Sequence, residues 1–167
     1  MLLSLVFLRH DWGSLGVSQS AVALYLQRLL ASLLQLSAFF QLQVLVQRVF
    51  SFGSSAKKLA ENIADDASKL IVGNAIDAET QCGPLIRNRE VDRVEEWVAE
   101  AVDAGAEVIC GGKRLSNSCY APTVLLNPPE SCRVSTQEIF GPVIAVYEKQ
   151  NLDEAISQAN SLEFAFQ

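Results

Sequence analysis

Positive charge is scarce in this 167-residue chain: Lys and Arg number 13 against 19 Asp and Glu, a formal net charge of −6, with a single His. Proteins that hold a phosphate backbone cluster Lys and Arg on one face, so this balance excludes nucleic acid as a partner. Cysteine is sparse as well. Cys82, Cys110, Cys119 and Cys132 lie 28, 9 and 13 residues apart, which matches no zinc spacing and, without an export signal, reads as reduced thiols rather than a disulfide framework. The lone His10 has Asp11 beside it but no second His or Cys cluster at ligand distance, so it reads as a solvated or capping side chain. No internal repeat, P-loop or Gly-x-Gly-x-x-Gly fingerprint occurs. Charged residues make up only 19%, against 50% apolar, with a mean hydropathy of +0.21; this composition excludes global disorder and collagen-like order. The length suits one domain or a piece of a larger one, and is too short for a two-domain dinucleotide enzyme.

The scarcity is uneven. Residues 1–50 hold Arg9, Arg28 and Arg48 against Asp11 alone, which leaves 10 basic and 18 acidic residues for 51–167, and all five prolines lie beyond residue 80. Such a break within a short chain points to two segments of different origin or environment. The apolar run at 1–8 lacks a positive leading region, is ended by Arg9-His10-Asp11 and has no small-residue cleavage site after it, against secretion. Residues 29–46 are free of charge and approach the length of a membrane span, but Ser32, Gln35, Ser37, Gln41 and Gln43 fall inside it. Polar amides in hydrocarbon need partners that one span does not supply, so a membrane is disfavoured. A buried or partner-seeking helix over 19–40 fits better, apolar nearly all round.

Beyond residue 43 the pattern becomes regular. Residues 43–50, rich in Val and Phe, read as a strand, followed by a helix over 57–70 with Leu59, Ile63, Ala67 and Leu70 at helical spacing and Gly73 beyond it. A long loop covers 74–85. Asn88 is placed as an N-cap, Val91, Val94, Trp97, Val98, Ala101 and Val102 form an apolar stripe, and Gly105 suits the C′ position. Strands follow at 107–110, 121–126 and 142–147, with a Gly111-Gly112 turn between the first two, and Cys110 is expected to be buried at a strand end. Asn151 and Glu154 have the form of a capping box that opens a last helix through Ala159. Strands alternating with amphipathic helices predict an α/β arrangement.

Several of these segments, in order, resemble the NAD(P)-dependent aldehyde dehydrogenases. The stretch from Val72-Gly73-Asn74 through Cys82-Gly83-Pro84-Leu85-Ile86 looks like that family's loop before a long helix, and Cys110-Gly111-Gly112-Lys113-Arg114 and Tyr120-Ala121-Pro122-Thr123 follow at family spacing. The clearest match is Gln137-Glu138-Ile139-Phe140-Gly141-Pro142-Val143, and Val46-Gln47-Arg48-Val49-Phe50 resembles the strand after the family's nucleophile. The resemblance covers about residues 44–167 and implies an incomplete α/β catalytic domain, with 1–43 an apolar, helical segment outside it.

The resemblance also implies roles. Glu138 matches the glutamate that holds the nicotinamide-side ribose hydroxyls, a task for a carboxylate that accepts two hydrogen bonds. Phe140 matches the aromatic beside the nicotinamide ring. Without the family, the same residues read as a loop carboxylate and a strand-entry packing group. The implied chemistry is attack of a cysteine thiolate on an aldehyde, hydride transfer to NAD or NADP, and release of the acid by a glutamate-activated water. The nucleophile belongs four residues before the Gln-Arg pair, where this chain has Gln43. With the base and the Rossmann-type coenzyme domain also expected upstream, the chain reads as an inactive, cytoplasmic fragment truncated at both ends, from a shifted frame or a fusion, that binds coenzyme weakly if at all. Two other readings stay open: a remnant that associates with itself or a full-length relative through uncovered sheet edges, and a remnant attached to a membrane through 29–46.

Overall fold

A computed structural model describes residues 2–6 and 45–162. Five strands form one sheet: β1 (Leu2–Val6), β2 (Leu45–Phe52), β3 (Glu107–Cys110), β4 (Thr123–Leu126) and β5 (Val143–Lys149). Their order is β1-β2-β5-β4-β3. β1, β2, β5 and β4 pair in parallel, and β3 closes the sheet antiparallel to β4. The helices are α1 (Ala56–Ser68), α2 (Asn88–Asp103), the short α3 (Arg133–Thr136) and α4 (Leu152–Ala159). The expected α/β fold is present. The helix expected over 19–40, together with His10 and Gln43, lies outside the described residues.

Period-two alternation assigns the helices to faces. From β4 and β5, Val124, Leu126, Ile144 and Val146 pack with Val49 against α1, while Leu125 and Val143 pack against α2 on the opposite face. Ala145 and Tyr147 join Phe50 and Phe52 under Ala155 of α4. The seam of α1 is Ala56, Ala60 and Ala64, all buried, with Leu59, Ile63 and Ala67 only flanking it. The leucine-centred stripe is thus shifted by one row, because small residues let the helix axis approach the sheet. In α2, Val91, Val94, Val98 and Ala101 are buried as expected, but Val102 is 41% exposed.

The ends of the helices follow local chemistry. Gly105, with φ of 110°, ends α2 in a Schellman motif: its N–H donates to Val102 O at 2.9 Å and the Ala106 N–H to Ala101 O at 2.8 Å. Asn88 proves to be the first helical residue and Arg87 the extended residue before it, so the expected Asn88 side-chain cap is not made. The N-cap half of the capping box is made: Asn151 Oδ1 accepts from Glu154 N at 2.9 Å, while the Glu154 carboxylate turns back to accept from Gln150 N at 3.3 Å and Asn151 Nδ2 at 2.9 Å. Gly111, with φ of 75°, follows β3 so close to the chain entering β4 that a Cβ there would lie 2.1 Å from Pro122 O; the reversal itself lies at 115–119, beyond an Arg114↔Tyr120 bridge, not at Gly111-Gly112 as expected. Cys110 ends β3 half-buried.

Candidate functional site

β2 and β5 are adjacent and parallel, so the chain entering β2 and the loop entering β5 share one end of the sheet. That loop, residues 137–142, carries Glu138 and Phe140. Glu138 is half-buried, and Phe140 is 54% exposed with a φ of 43°. A bulky residue in the left-handed region costs about 1 to 3 kcal/mol, and persists only where its surroundings over-determine it.

The surroundings do so from two sides. From β2, Gln47 Nε2 donates to Gln137 O at 3.0 Å and Val134 O at 3.4 Å, and Gln47 Oε1 accepts from Ile139 N at 3.1 Å. From α2, Arg93 Nη2 donates to Ile139 O at 2.5 Å while its Nε donates to Glu90 at 2.9 Å. The Arg93 guanidinium lies over Trp97, 4.6 Å from the ring centroid, with Arg133 at 5.6 Å from the same ring. Glu100 of α2 accepts from the Arg133 backbone N–H at 3.0 Å and from its side chain. These contacts, the backbone one foremost, hold the Glu100 carboxyl below the usual carboxylate range and anchor the start of α3. Gly141 then crosses α2 so closely that a Cβ there would meet Val94 Cγ2 at 2.9 Å.

Under the segment, the Tyr147 hydroxyl donates to Ser135 Oγ at 2.8 Å and Ser135 Oγ to Pro129 O at 2.8 Å. Burial pushes the Tyr147 phenol up to about 12. Beside Gln47, Arg48 is buried, 1% exposed, and donates to Gln158 O and Ala159 O, each at 3.0 Å, at the C-terminal end of α4. Its guanidinium also lies 5.8 Å from the Phe50 ring centroid, and burial lowers its pKa.

Glu138 and Phe140 stand together on one pinned loop, whereas position 43 lies outside the described residues. Burial pushes the thiols of Cys82, Cys110 and Cys132 up, away from the thiolate that a nucleophile needs, with Cys119 adding to the effect at Cys82. Gln47, Arg93 and Gly141 were not singled out by sequence reasoning. The signal for Gln47 was a polar Gln-Arg pair inside an otherwise apolar strand; Gly141 stood only as a member of the Gln137–Val143 motif, and Arg93 carried no sequence signal. Among the described residues, no group of three or more His, Cys, Asp and Glu could hold a metal ion, and no helix is long and apolar enough to cross a membrane.

A parallel-centred sheet with helices on both faces and an exposed aromatic held on a clamped loop defines an α/β domain built to present that loop. Comparison with known proteins defines it further. The family described as the aldehyde dehydrogenase family matches residues 35–167, and the chain belongs to it. A 3-sulfolactaldehyde dehydrogenase of Priestia aryabhattai is 39% identical over 127 residues, which cover 76% of this chain and 26% of that protein. The NADP(+) succinate-semialdehyde dehydrogenase GabD of Escherichia coli is 37% identical over 109 residues, covering 64% of this chain and 23% of that protein. Among solved structures, aldehyde dehydrogenase 21 from Physcomitrella patens, in complex with the reaction product succinate, superposes with a TM-score of 0.67 at 29% identity. That match covers 72% of this chain and 25% of the other. A Mycobacterium tuberculosis aldehyde dehydrogenase complexed with NAD+ gives 0.65 at 30% identity, over 70% and 25% of the two chains. The chain spans about a quarter of the length of the curated relatives it matches.

Proposed function

We propose that residues 44–167 are an aldehyde dehydrogenase catalytic segment whose Glu138–Phe140 loop receives the nicotinamide-ribose end of NAD or NADP, and that this chain alone does not oxidise aldehydes. The observation that carries the coenzyme role is Phe140, exposed and held in the left-handed region by a loop fixed from β2 and α2. The residues fit the group. A half-buried carboxylate can accept from two vicinal hydroxyls, and a flat exposed ring face limits where a nicotinamide can sit. When bound, the coenzyme supplies the hydride acceptor that turns an aldehyde into a carboxylic acid.

The inactivity rests on Gln43, which occupies the family's nucleophile position. A carboxamide nitrogen has its lone pair delocalised and does not attack a carbonyl. None of the three thiols raised by burial is a ready substitute. Relatives named for 3-sulfolactaldehyde, succinate semialdehyde and glutarate semialdehyde support a short aldehyde with an acidic tail as the substrate class of the parent enzyme.

The test is to incubate the purified chain with NAD or NADP and a panel of such aldehydes. No reduced coenzyme is expected above a denatured control, and turnover would refute the inactivity. In a parallel NMR titration, NAD at about millimolar concentration should move the Glu138 and Phe140 amides. Shifts confined to other residues would remove the coenzyme role.

A second reading is self-association or pairing with a full-length relative. It is favoured by β3, paired only with β4 among the described strands and bearing Val108 at 37% exposure. A monomer by sedimentation that also fails to co-purify with a full-length relative would exclude it. A cytoplasmic location is part of the proposal, and recovery in the membrane fraction would count against it in favour of attachment through residues 29–46.

A further inference from the structure

Gln47 stands apart from the rest of β2. The register with β1 runs from Leu3↔Val46 directly to Ser4↔Arg48, so Gln47 is skipped, as in a β-bulge, where the extra residue is re-aimed. Its side chain is 4% exposed and reaches the segment before β5, where the carbonyl of residue 137 and the N–H of residue 139 flank Glu138. Bonding to the C=O before a residue and the N–H after it is what the N–H and C=O of one residue do to its partner in a parallel ladder. Here a side-chain amide does it, 90 and 92 residues away in sequence. The task needs a donor and an acceptor on one rigid plane at the reach of two methylenes, which glutamine has, and leucine and ionised glutamate lack.

Resting on the coenzyme role proposed above, we propose that Gln47 is the positioning residue of the coenzyme loop. It acts as a surrogate strand residue that fixes the peptide groups on both sides of Glu138 and so sets where the Glu138 carboxylate and the Phe140 ring point.

The experiment compares the full chain with Gln47→Leu and Gln47→Glu by amide hydrogen exchange, each read against the parent at the same pH. Gln47→Leu removes the three bonds at similar volume, and exchange at Ile139 should rise about tenfold or more, while protection at Val49 and Val146 in the core is retained. Gln47→Glu provides the discriminating arm. As a neutral acid it donates to Gln137 O and accepts from Ile139 N like the parent; as a carboxylate it cannot donate and faces carbonyl oxygens. Burial and those oxygens raise its pKa above the ordinary value of about 4.3, so the loop should be protected at about pH 5 and released by about pH 8.

The charged and titratable groups packed nearest to it on the surrounding elements include Arg48 of β2, Arg93 with its partner Glu90 and also Glu100 of α2, Arg133 of α3, Tyr147 of β5, Cys132 and Glu138. Burial raises the Cys132 thiol and the Tyr147 phenol, so both stay neutral between those limits. Parental exchange at Ile139 in Gln47→Leu, or equal release of Gln47→Glu at both pH values, would overturn the proposal. NAD titration of the same chains separates the two ideas. An NAD response that persists unchanged in a released Gln47→Leu loop overturns positioning. Release of the loop with no NAD response in the parent supports the tether and refutes only the coenzyme role.

Discussion

The contact between Gly141 and Val94 gives the sharpest quantitative test of the site, because it joins the 137–142 loop to the buried face of α2. Val94 is fully buried, and a Cβ at residue 141 would lie 2.9 Å from its Cγ2 and 3.7 Å from its Cγ1. Since Gly141 has no left-handed φ, the cost of Gly141→Ala is steric. A valine in a helix has one strongly preferred rotamer and cannot swing aside, so the substitution should destabilise by about 1 to 3 kcal/mol. Val94→Ala removes two methyl equivalents at about 0.8 kcal/mol each plus a cavity contribution, about 2 to 3 kcal/mol in all. The new Cβ occupies space that Val94 vacates. The double variant should therefore cost little more than Val94→Ala, about 1 to 2 kcal/mol less than the sum of the two singles. Urea unfolding of the four chains measures this, provided their slopes agree. Additivity within about 0.5 kcal/mol would show that loop and helix do not meet as described.

Other expectations follow from the same geometry. Arg48→Met should destabilise by about 2 to 3 kcal/mol and loosen α4, because two charge-assisted bonds to Gln158 O and Ala159 O outweigh the relief of a buried cation; unchanged or greater stability in urea would show that desolvation dominates. Tyr147 and Tyr120, both raised to about 12 from 10, favour the neutral phenol in the folded state. Their contribution is therefore complete below pH 10 and lost as pH rises from 10 through 12, on the order of 2 to 3 kcal/mol for a fully developed two-unit shift. Denaturant midpoints should fall in that window, less steeply in Tyr147→Phe, and a flat profile would refute the assignment. Glu138→Ala and Phe140→Ala should abolish NAD-induced amide shifts, and Phe140→Ala should leave stability within about 0.5 kcal/mol, since its ring is largely exposed.

Local chemistry was readable in the sequence. The valine spacing of α2, the Gly105 stop and the Asn151 cap on Glu154 are set by residues within four or five positions of one another, and these formed as expected apart from Val102, which faces out. The ordered motifs from Val46 to Val143 likewise pointed to the family. Features that depend on a surface many residues away were not readable. The row of α1 that faces inward was set by how closely the sheet lets a helix approach, which favoured Ala56, Ala60 and Ala64 over the leucine row. The four-residue α3 is too short to carry a period, and its start is held by Glu100 of another helix. Gln47 and Arg48 looked like polar interruptions of a strand. Their partners lie 87 to 111 residues along the chain, so only the folded backbone could reveal them as a clamp on the loop and a cap on α4. Sequence determines what each segment can bond to nearby, while the tertiary structure decides which distant carbonyl a buried donor meets, because that depends on the register of strands brought together by folding.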